Sequence, residues 1–221
     1  MDYVLFVIGA TIEYFSLFIF MLTLFRFRIK KRIVHAALVS LLMSQVSYFT
    51  RIDPDIGSMS SFLQIALSIV VLCIIFRTPI RWSVVMNFAS AIFGFAVQGI
   101  LLLVLWFGMG LTLETVQSDR LTGAAAQIAS SVLFLAASRT VVTFNLGFNY
   151  VPIDVRSYER VTRSSAIIIS SVSVAMVAAC ITAYMFRNDV QDYFFIALGI
   201  FVLTLPLFLY YSFRKDEEDV R

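Results

Sequence analysis

Residues 3–25 read YVLFVIGATIEYFSLFIFMLTLF, and residues 26–32 read RFRIKKR. The first segment has one charged side chain, Glu13, and is long enough for a helix rising about 1.5 Å per residue to cross about 30 Å of hydrocarbon. The second segment predicts a cytoplasmic helix end, because Lys and Arg accumulate on that side of a membrane. It contains a cluster of five basic residues, Arg26, Arg28, Lys30, Lys31 and Arg32.

Six further apolar stretches follow, at residues 33–49, 60–76, 83–107, 121–142, 164–186 and 193–213. The 221 residues are 60% hydrophobic and 14% charged, whereas soluble domains are about 25% charged. The pattern predicts an all-α, polytopic membrane helix bundle with about seven transmembrane helices. We expect one domain, residues 1–213, followed by a short charged cytoplasmic tail, residues 214–221.

The connecting segments predict the orientation. If the chain crosses the membrane seven times, fourteen Lys and Arg residues lie on one side and three lie on the other. By the positive-inside rule, the side that carries fourteen Lys and Arg residues is the cytoplasmic side. We therefore expect an external N-terminus, a cytoplasmic C-terminus and a multi-pass protein of the cell membrane, most simply a bacterial cytoplasmic membrane.

Enzymatic and metal-dependent classes find no support in the motifs. His35 is the single histidine, and no zinc-protease, nucleophile-elbow, P-loop or dinucleotide-binding pattern occurs. Cys73 and Cys180 each lie inside an apolar stretch without metal-ligand spacing. We expect no catalytic residue, metal or cofactor, and no nucleic-acid partner, because the basic residues occur in short clusters between apolar runs.

Glu13 is the most informative residue, because it lies midway along the first apolar stretch. A carboxyl group there must be paired, hydrogen-bonded or protonated. Gly9 and Ser16 share its helical face, which indicates that this face points into the bundle. Both a ligand or proton site and a structural hydrogen bond to a neighbouring helix remain open.

Polar residues form stripes on the fourth and fifth predicted helices. Such stripes either line a polar cavity or join membrane helices together, and the sequence leaves both possibilities open. The candidate ligand-binding residues are Glu13, Asn87, Gln98 and Gln127. The stripes consist of Asn87, Ser90, Ala91, Gly94 and Gln98 on the fourth helix and Gly123, Gln127, Ser131 and Arg139 on the fifth.

The chain has short loops and aromatic-rich spans, and near its start it contains Glu-Tyr-Phe at residues 13–15 and Leu-Phe-Arg-Phe at residues 24–27. This layout resembles that of a known family. It is similar to the polytopic membrane input domains of peptide-pheromone (quorum-sensing) histidine kinases of Gram-positive bacteria. The resemblance is one of topology and implies a sensor bundle without the kinase and its phosphorylated histidine. It carries over no functional residue.

Three functions fit this layout. The first is a non-enzymatic, receptor-like module that recognises a small ligand, a peptide or a membrane partner. The alternatives are a small-solute transporter or its membrane subunit, and an accessory or immunity subunit of a larger complex. The bilayer is the expected environment, and another membrane or cytoplasmic protein is the expected partner.

The predicted topology can be tested by labelling introduced cysteines with a membrane-impermeant thiol reagent in intact cells. Cysteines at Gly57, Glu114 and Asn188 should react, and cysteines at Lys30 and Ser157 should react only after the membrane is opened. The wild-type chain, whose two cysteines lie in predicted spans, supplies the background. External labelling at Lys30 would overturn the orientation.

Overall fold

The computed structural model describes residues 3–52, 60–110, 120–151, 166–174, 177–178 and 190–220. The regular structure of these residues is entirely α-helical. Within these described residues, seven helices follow one another. They are α1 (Tyr3–Leu24), α2 (Ile29–Ile52), α3 (Ser60–Ile74), α4 (Ile80–Met109), α5 (Arg120–Thr143), α6 (residues 166–174) and α7 (Val190–Val220).

Each predicted apolar stretch overlaps one of these helices, although the ends differ, and residues 179–186 of the sixth stretch lie outside the described residues. Helix α2 begins four residues before the predicted start, and α7 runs seven residues beyond the predicted end. The acidic residues of the predicted tail, up to Val220, are therefore helical. Hydropathy marks the part of a helix that suits lipid, whereas backbone hydrogen bonding continues into polar residues outside it.

Four helices of the described residues are long and apolar enough to cross a membrane. Large apolar side chains are exposed on them, for example Val34 and Leu38 on α2 and Val104 on α4. Lipid is a suitable surrounding for such surfaces, so the protein is a multi-pass helical membrane protein. The four candidate spans are Tyr3–Leu24, Ile29–Thr50, Ile80–Leu105 and Thr122–Thr143.

Helix α1 occupies the centre of the described bundle. It packs most extensively against α5 and α2 and also contacts α4. It is the most buried of the four candidate spans. Gly9 permits the close approach of α5, because a Cβ at this position would lie 2.4 Å from Oε1 of Gln127. The absence of a side chain at Gly9 thus leaves room for α5 beside α1.

Helices α1, α3 and α5 are each followed by a residue with left-handed backbone, Arg26 (φ 51°), Arg77 (φ 56°) and Asn145 (φ 57°). After α1, the amide of Arg26 donates to the carbonyl of Thr23 at 3.0 Å and the amide of Phe27 donates to that of Leu22 at 2.8 Å. These two bonds form a Schellman motif, which satisfies carbonyls that the helix itself leaves unpaired.

The same three helix ends meet on one side of the bundle. The Arg26 guanidinium donates to the backbone carbonyl of Asn145 at 2.7 Å. The Arg32 guanidinium donates to the carbonyl of Phe76 at 2.9 Å and lies 4.8 Å from the centre of the Phe27 ring. The predicted basic cluster is therefore divided: Arg26 and Arg32 join helix ends, while the side chains of Arg28, Lys30 and Lys31 are exposed.

Residues 146–151 form a strap across this side of the bundle. The amide of Phe148 donates to the Leu24 carbonyl at 2.7 Å, and the amide of Asn149 donates to the Asp216 carboxylate at 2.7 Å. The hydroxyls of Tyr150 and Ser212 are 3.0 Å apart. The strap thus joins the C-terminal end of α1 to the C-terminal part of α7.

Aromatic rings hold the strap in place. The Phe148 and Tyr150 rings each lie 5.9 Å from the ring of Phe25, and Tyr150 lies 5.1 Å from Trp82. Rings at such separations contribute about 0.5–1.5 kcal/mol per pair beyond their burial.

Burial raises the pKa of the Tyr150 hydroxyl well above its ordinary value of 10. The hydrogen bond with Ser212 opposes this shift, and the nearby charge of Asp216 adds to it. Tyr150 therefore stays neutral at physiological pH.

We expect Gly147→Ala to lower the melting temperature of the detergent-solubilised protein. A Cβ there would lie 2.7 Å from Cγ of Arg26 and about as close to two backbone carbonyls of α1, at 3.0 and 3.1 Å. Overpacking of this kind costs about 1–3 kcal/mol. Gly199→Ala is the matched control, since a Cβ at Gly199 meets nothing within 4 Å. Equal melting temperatures for the two variants would contradict the close packing of the strap.

Candidate ligand cavity

A cavity of about 240 Å³ lies among the first five helices. Its wall is contributed mainly by α1 and α4, with residues of α2, α3 and α5 completing it. Apolar side chains such as Leu17, Met43 and Phe134 form much of the surface. The polar part of the lining is Glu13, Tyr14, Gln64, Ser68, Asn87, Ser90 and Gln98.

The Glu13 carboxyl group accepts hydrogen bonds from two other helices. Nε2 of Gln98 on α4 donates to Oε1 of Glu13 at 2.8 Å, and Oγ of Ser130 on α5 lies 3.4 Å from the same oxygen. The Ser130 hydroxyl also lies 2.9 Å from the carbonyl of Gln127 in its own helix. Because one hydroxyl carries one proton, Gln98 is the principal donor to the carboxylate and Ser130 is an additional one.

The amide groups of Gln98 and Asn87 have a defined direction. The Gln98 nitrogen donates to Glu13, and Nδ2 of Asn87 donates to the backbone carbonyl of Ile65 on α3 at 2.9 Å. In both side chains the nitrogen is thus directed at a protein oxygen. The amide oxygens are the other polar ends of these groups, and they can only accept hydrogen bonds.

A second polar chain connects α1 with α2 and α3. The Tyr14 hydroxyl donates to Oε1 of Gln64, and Nε2 of Gln64 donates to Oγ of Ser47 at 3.1 Å. Both Tyr14 and Gln64 line the cavity. Consecutive residues of α1, Glu13 and Tyr14, therefore bond to different helices, Glu13 to α4 and α5 and Tyr14 to α3.

The two predicted polar stripes have different positions in the structure. All five residues of the α4 stripe, from Asn87 to Gln98, line the cavity. The α5 stripe lies outside the lining: Gln127 packs against Gly9 of α1, and the Ser131 hydroxyl donates to the Gln127 carbonyl at 2.7 Å. Arg139, at the far end of that stripe, is exposed.

Of the four predicted ligand-binding residues, the structure brings Glu13, Asn87 and Gln98 to one cavity and places Gln127 beside it. Tyr14, Gln64 and Ser130 were not predicted as site residues from the sequence. Gln64 is a lone amide in the apolar α3, comparable with Gln127 in α5, and this signal could have identified it. Ser130 could not be singled out, because serines of membrane helices commonly bond to their own backbone.

The structure also places the single histidine and one of the two cysteines. His35 on α2 is exposed. In the described ranges, no three His, Cys, Asp or Glu side chains come close enough together to hold a metal ion. Cys180 lies outside the described residues, and Cys73 is a half-buried thiol 3.3 Å from Oγ of Ser83.

Comparison of the chain with protein-family models, curated proteins and solved structures gives no match in any of the three.

The Glu13–Gln98 bond is measurable as a coupling free energy. In a double-mutant cycle with Glu13→Leu and Gln98→Leu, we expect a coupling of about 1 kcal/mol, since hydrogen bonds between membrane helices average about 0.6 kcal/mol and bonds to charged groups are stronger. The measurement is reversible unfolding in mixed micelles. The control is a second cycle that combines Ser131→Ala with Glu13→Leu. It should show no coupling, because the Ser131 hydroxyl donates within its own helix.

Proposed function

We propose that the protein is a non-enzymatic, receptor-like membrane module that recognises a small ligand in the cavity among α1–α5. The observation that carries this proposal is a cavity of about 240 Å³ among membrane helices, with the carboxyl group of Glu13 in its wall. Ionisable groups within membrane helices are costly and are found mainly where they serve a binding or transport pathway. Ligand pockets also share this composition, a largely apolar wall with a few directed polar groups.

The proposal includes the topology expected from the sequence. Seven spans with the N-terminus outside and the C-terminus in the cytoplasm place the strap on the cytoplasmic side, together with most of the basic residues. The contacts that join the ends of α1, α3 and α5 on one side are what this alternation requires. A bacterial cytoplasmic membrane is the proposed location.

Helix α1 is the proposed link between the ligand and the cytoplasm. It carries Glu13 in the cavity wall and, eleven residues later, the Leu24 carbonyl that accepts the Phe148 amide. A movement of α1 on ligand binding would thus change the contacts of the strap, and through Asp216 those of α7. A cytoplasmic or membrane protein that contacts the strap is the proposed recipient of this change, in keeping with the resemblance to sensor-kinase input domains.

A solute carrier is the main alternative, because a cavity between membrane spans can also serve transport. Reconstituted liposomes separate the two functions once a ligand is known. A receptor binds the ligand without releasing it on the other side, whereas a carrier equilibrates it across the bilayer. Ligand flux above that of protein-free liposomes would replace the receptor proposal with the transport proposal.

Occupancy of the cavity can be tested directly. After purification in mild detergent, native mass spectrometry should detect a small molecule bound to the wild-type chain. Ala91→Leu should remove it, because Ala91 lines the cavity and the larger side chain fills part of the volume. Glu13→Gln should keep the fold and lose the ligand.

Ala125→Leu is the matched control, since Ala125 is exposed on α5 and the same enlargement points away from the bundle. This variant should retain the ligand. Equal occupancy in the Ala91→Leu and Ala125→Leu proteins, or full occupancy in a stable Glu13→Leu protein, would refute recognition in this cavity.

A further inference from the structure

The five basic residues that follow α1 have two different environments. The guanidinium groups of Arg26 and Arg32 donate to backbone carbonyls just beyond the ends of α5 and α3. A cation at a helix C-terminus is favourable, because the carbonyls there carry a partial negative charge. The other three side chains, those of Arg28, Lys30 and Lys31, are exposed. Arg26 and Arg32 thus join helix ends, and the remaining three charges are accessible to a partner.

Arg28, Lys30 and Lys31 lie at the start of α2, where positive charge is unfavourable. The carbonyl of Arg28 accepts the Lys31 amide at 3.3 Å, and the first turn of α2 contains no acidic residue. The N-terminal end of a helix carries a partial positive charge, which repels these three cations and attracts an anion. A negatively charged partner would therefore stabilise this end of α2.

An exposed apolar stripe runs along α2 from the basic residues. It consists of Ile33, Val34, Leu38 and Leu41, all of which are exposed. Residues three and four apart lie on one face of a helix, so Ile33 and Val34 follow Lys30 on the same face. Because α2 is a candidate membrane span, this stripe faces hydrocarbon directly beside the charged groups. A charged end above an apolar side is complementary to a phospholipid, which has an anionic head and apolar chains.

Arg77 adds a fourth charge to this surface. It directly follows Phe76, whose carbonyl accepts the hydrogen bond from Arg32, so the end of α3 lies beside the start of α2. The Arg77 side chain is exposed, as are those of Ile74 and Ile75 before it. A basic group above apolar side chains therefore occurs on two neighbouring helices. The basic face, as we name this surface, consists of Arg28, Lys30, Lys31 and Arg77.

We propose that the basic face binds the phosphate group of an anionic phospholipid, with an acyl chain lying along the apolar stripe of α2. Basic residues beside a membrane span gain about fivefold in affinity for an anionic lipid surface per Lys or Arg. An acidic protein would pair with the charges but would leave the stripe without a role. The inference is independent of the cavity and its ligand, because none of the four residues of the basic face lines the cavity.

The test compares dioleoylphosphatidylglycerol with dioleoylphosphatidylcholine, which have identical acyl chains and differ in net charge. The full chain is purified in dodecyl maltoside, and lipid adducts are quantified by native mass spectrometry at increasing lipid concentration. We expect the wild-type protein to bind the anionic lipid about tenfold or more tightly than the zwitterionic lipid. Arg28→Gln, Lys30→Gln and Lys31→Gln combined should reduce this preference to about unity while both lipids still bind.

Two control variants show whether the effect belongs to charge at this position. Lys30→Arg combined with Lys31→Arg keeps both charges and should keep the preference. Arg214→Gln removes one exposed charge on α7 that already pairs with Glu218 at 3.4 Å, and it should also keep the preference. Loss of the preference in Arg214→Gln would contradict a site at the basic face, because total charge would then explain the result.

If the triple variant does not fold, the single variants Lys30→Gln and Arg77→Gln replace it, and each should reduce the preference about fivefold. Equal binding of the two lipids by the wild-type protein would overturn the inference. An unchanged preference in the variants that lack charges of the basic face would overturn it as well. Neither result would affect recognition in the cavity, which the occupancy experiment with Ala91→Leu and Ala125→Leu decides.

Competition identifies the occupant of the basic face. Inorganic phosphate and hexaglutamate are each added at the same concentration as the anionic lipid. Neither should displace the lipid, since neither has an apolar part that can contact the stripe. Displacement by phosphate would assign the basic face to a free anion, and displacement by hexaglutamate would assign it to an acidic protein segment. Either displacement would overturn the proposal of a lipid site.

Discussion

The hydrogen bond from Gln98 to Glu13 determines much of the arrangement of the bundle. Lipid offers a carboxylate no donor, so the side chain of Glu13 has to reach a neighbouring helix. Its donors belong to α4 and α5, and α1 therefore has both of these helices as neighbours. Gly9 permits the contact with α5, since any larger side chain would meet Gln127. One polar group in the middle of α1 thus links this helix to both α4 and α5.

The two halves of the bundle are packed in different ways. Near the C-terminal end of α1, the rings of Phe25, Trp82 and Phe148 are buried and pack around Tyr150. Towards Glu13 the packing opens into the cavity, where polar groups are directed by hydrogen bonds. A tightly packed end resists deformation, whereas an open end can adapt to a ligand. This contrast gives the proposed receptor a rigid part and a responsive part within one set of helices.

Much of this fold could be predicted from hydropathy, because apolar length and helix position coincide for membrane spans. The helix ends could not be predicted in the same way. Helix α2 begins at Ile29 and α7 continues to Val220, because their polar turns are stabilised by contacts that hydropathy does not measure. Glu13 and Gln98 could be selected as cavity candidates by residue type alone. Gln127 appeared equivalent in sequence, but its helix presents it to Gly9, outside the cavity. Which face of a helix meets a cavity depends on tertiary packing, and a stripe of polar residues does not contain that information.

The separation of Glu13 from its donors along the chain has a consequence for biogenesis. Gln98 follows Glu13 by 85 residues and Ser130 follows it by 117. At about 5–20 residues per second, the ribosome needs between about 4 and 17 s to add the residues between Glu13 and Gln98. During that interval α1 has to enter the membrane by virtue of its many apolar side chains, with the carboxyl group still lacking its α4 donor. Later helices then complete the polar contact, so the order of synthesis makes α1 the template on which α4 and α5 assemble.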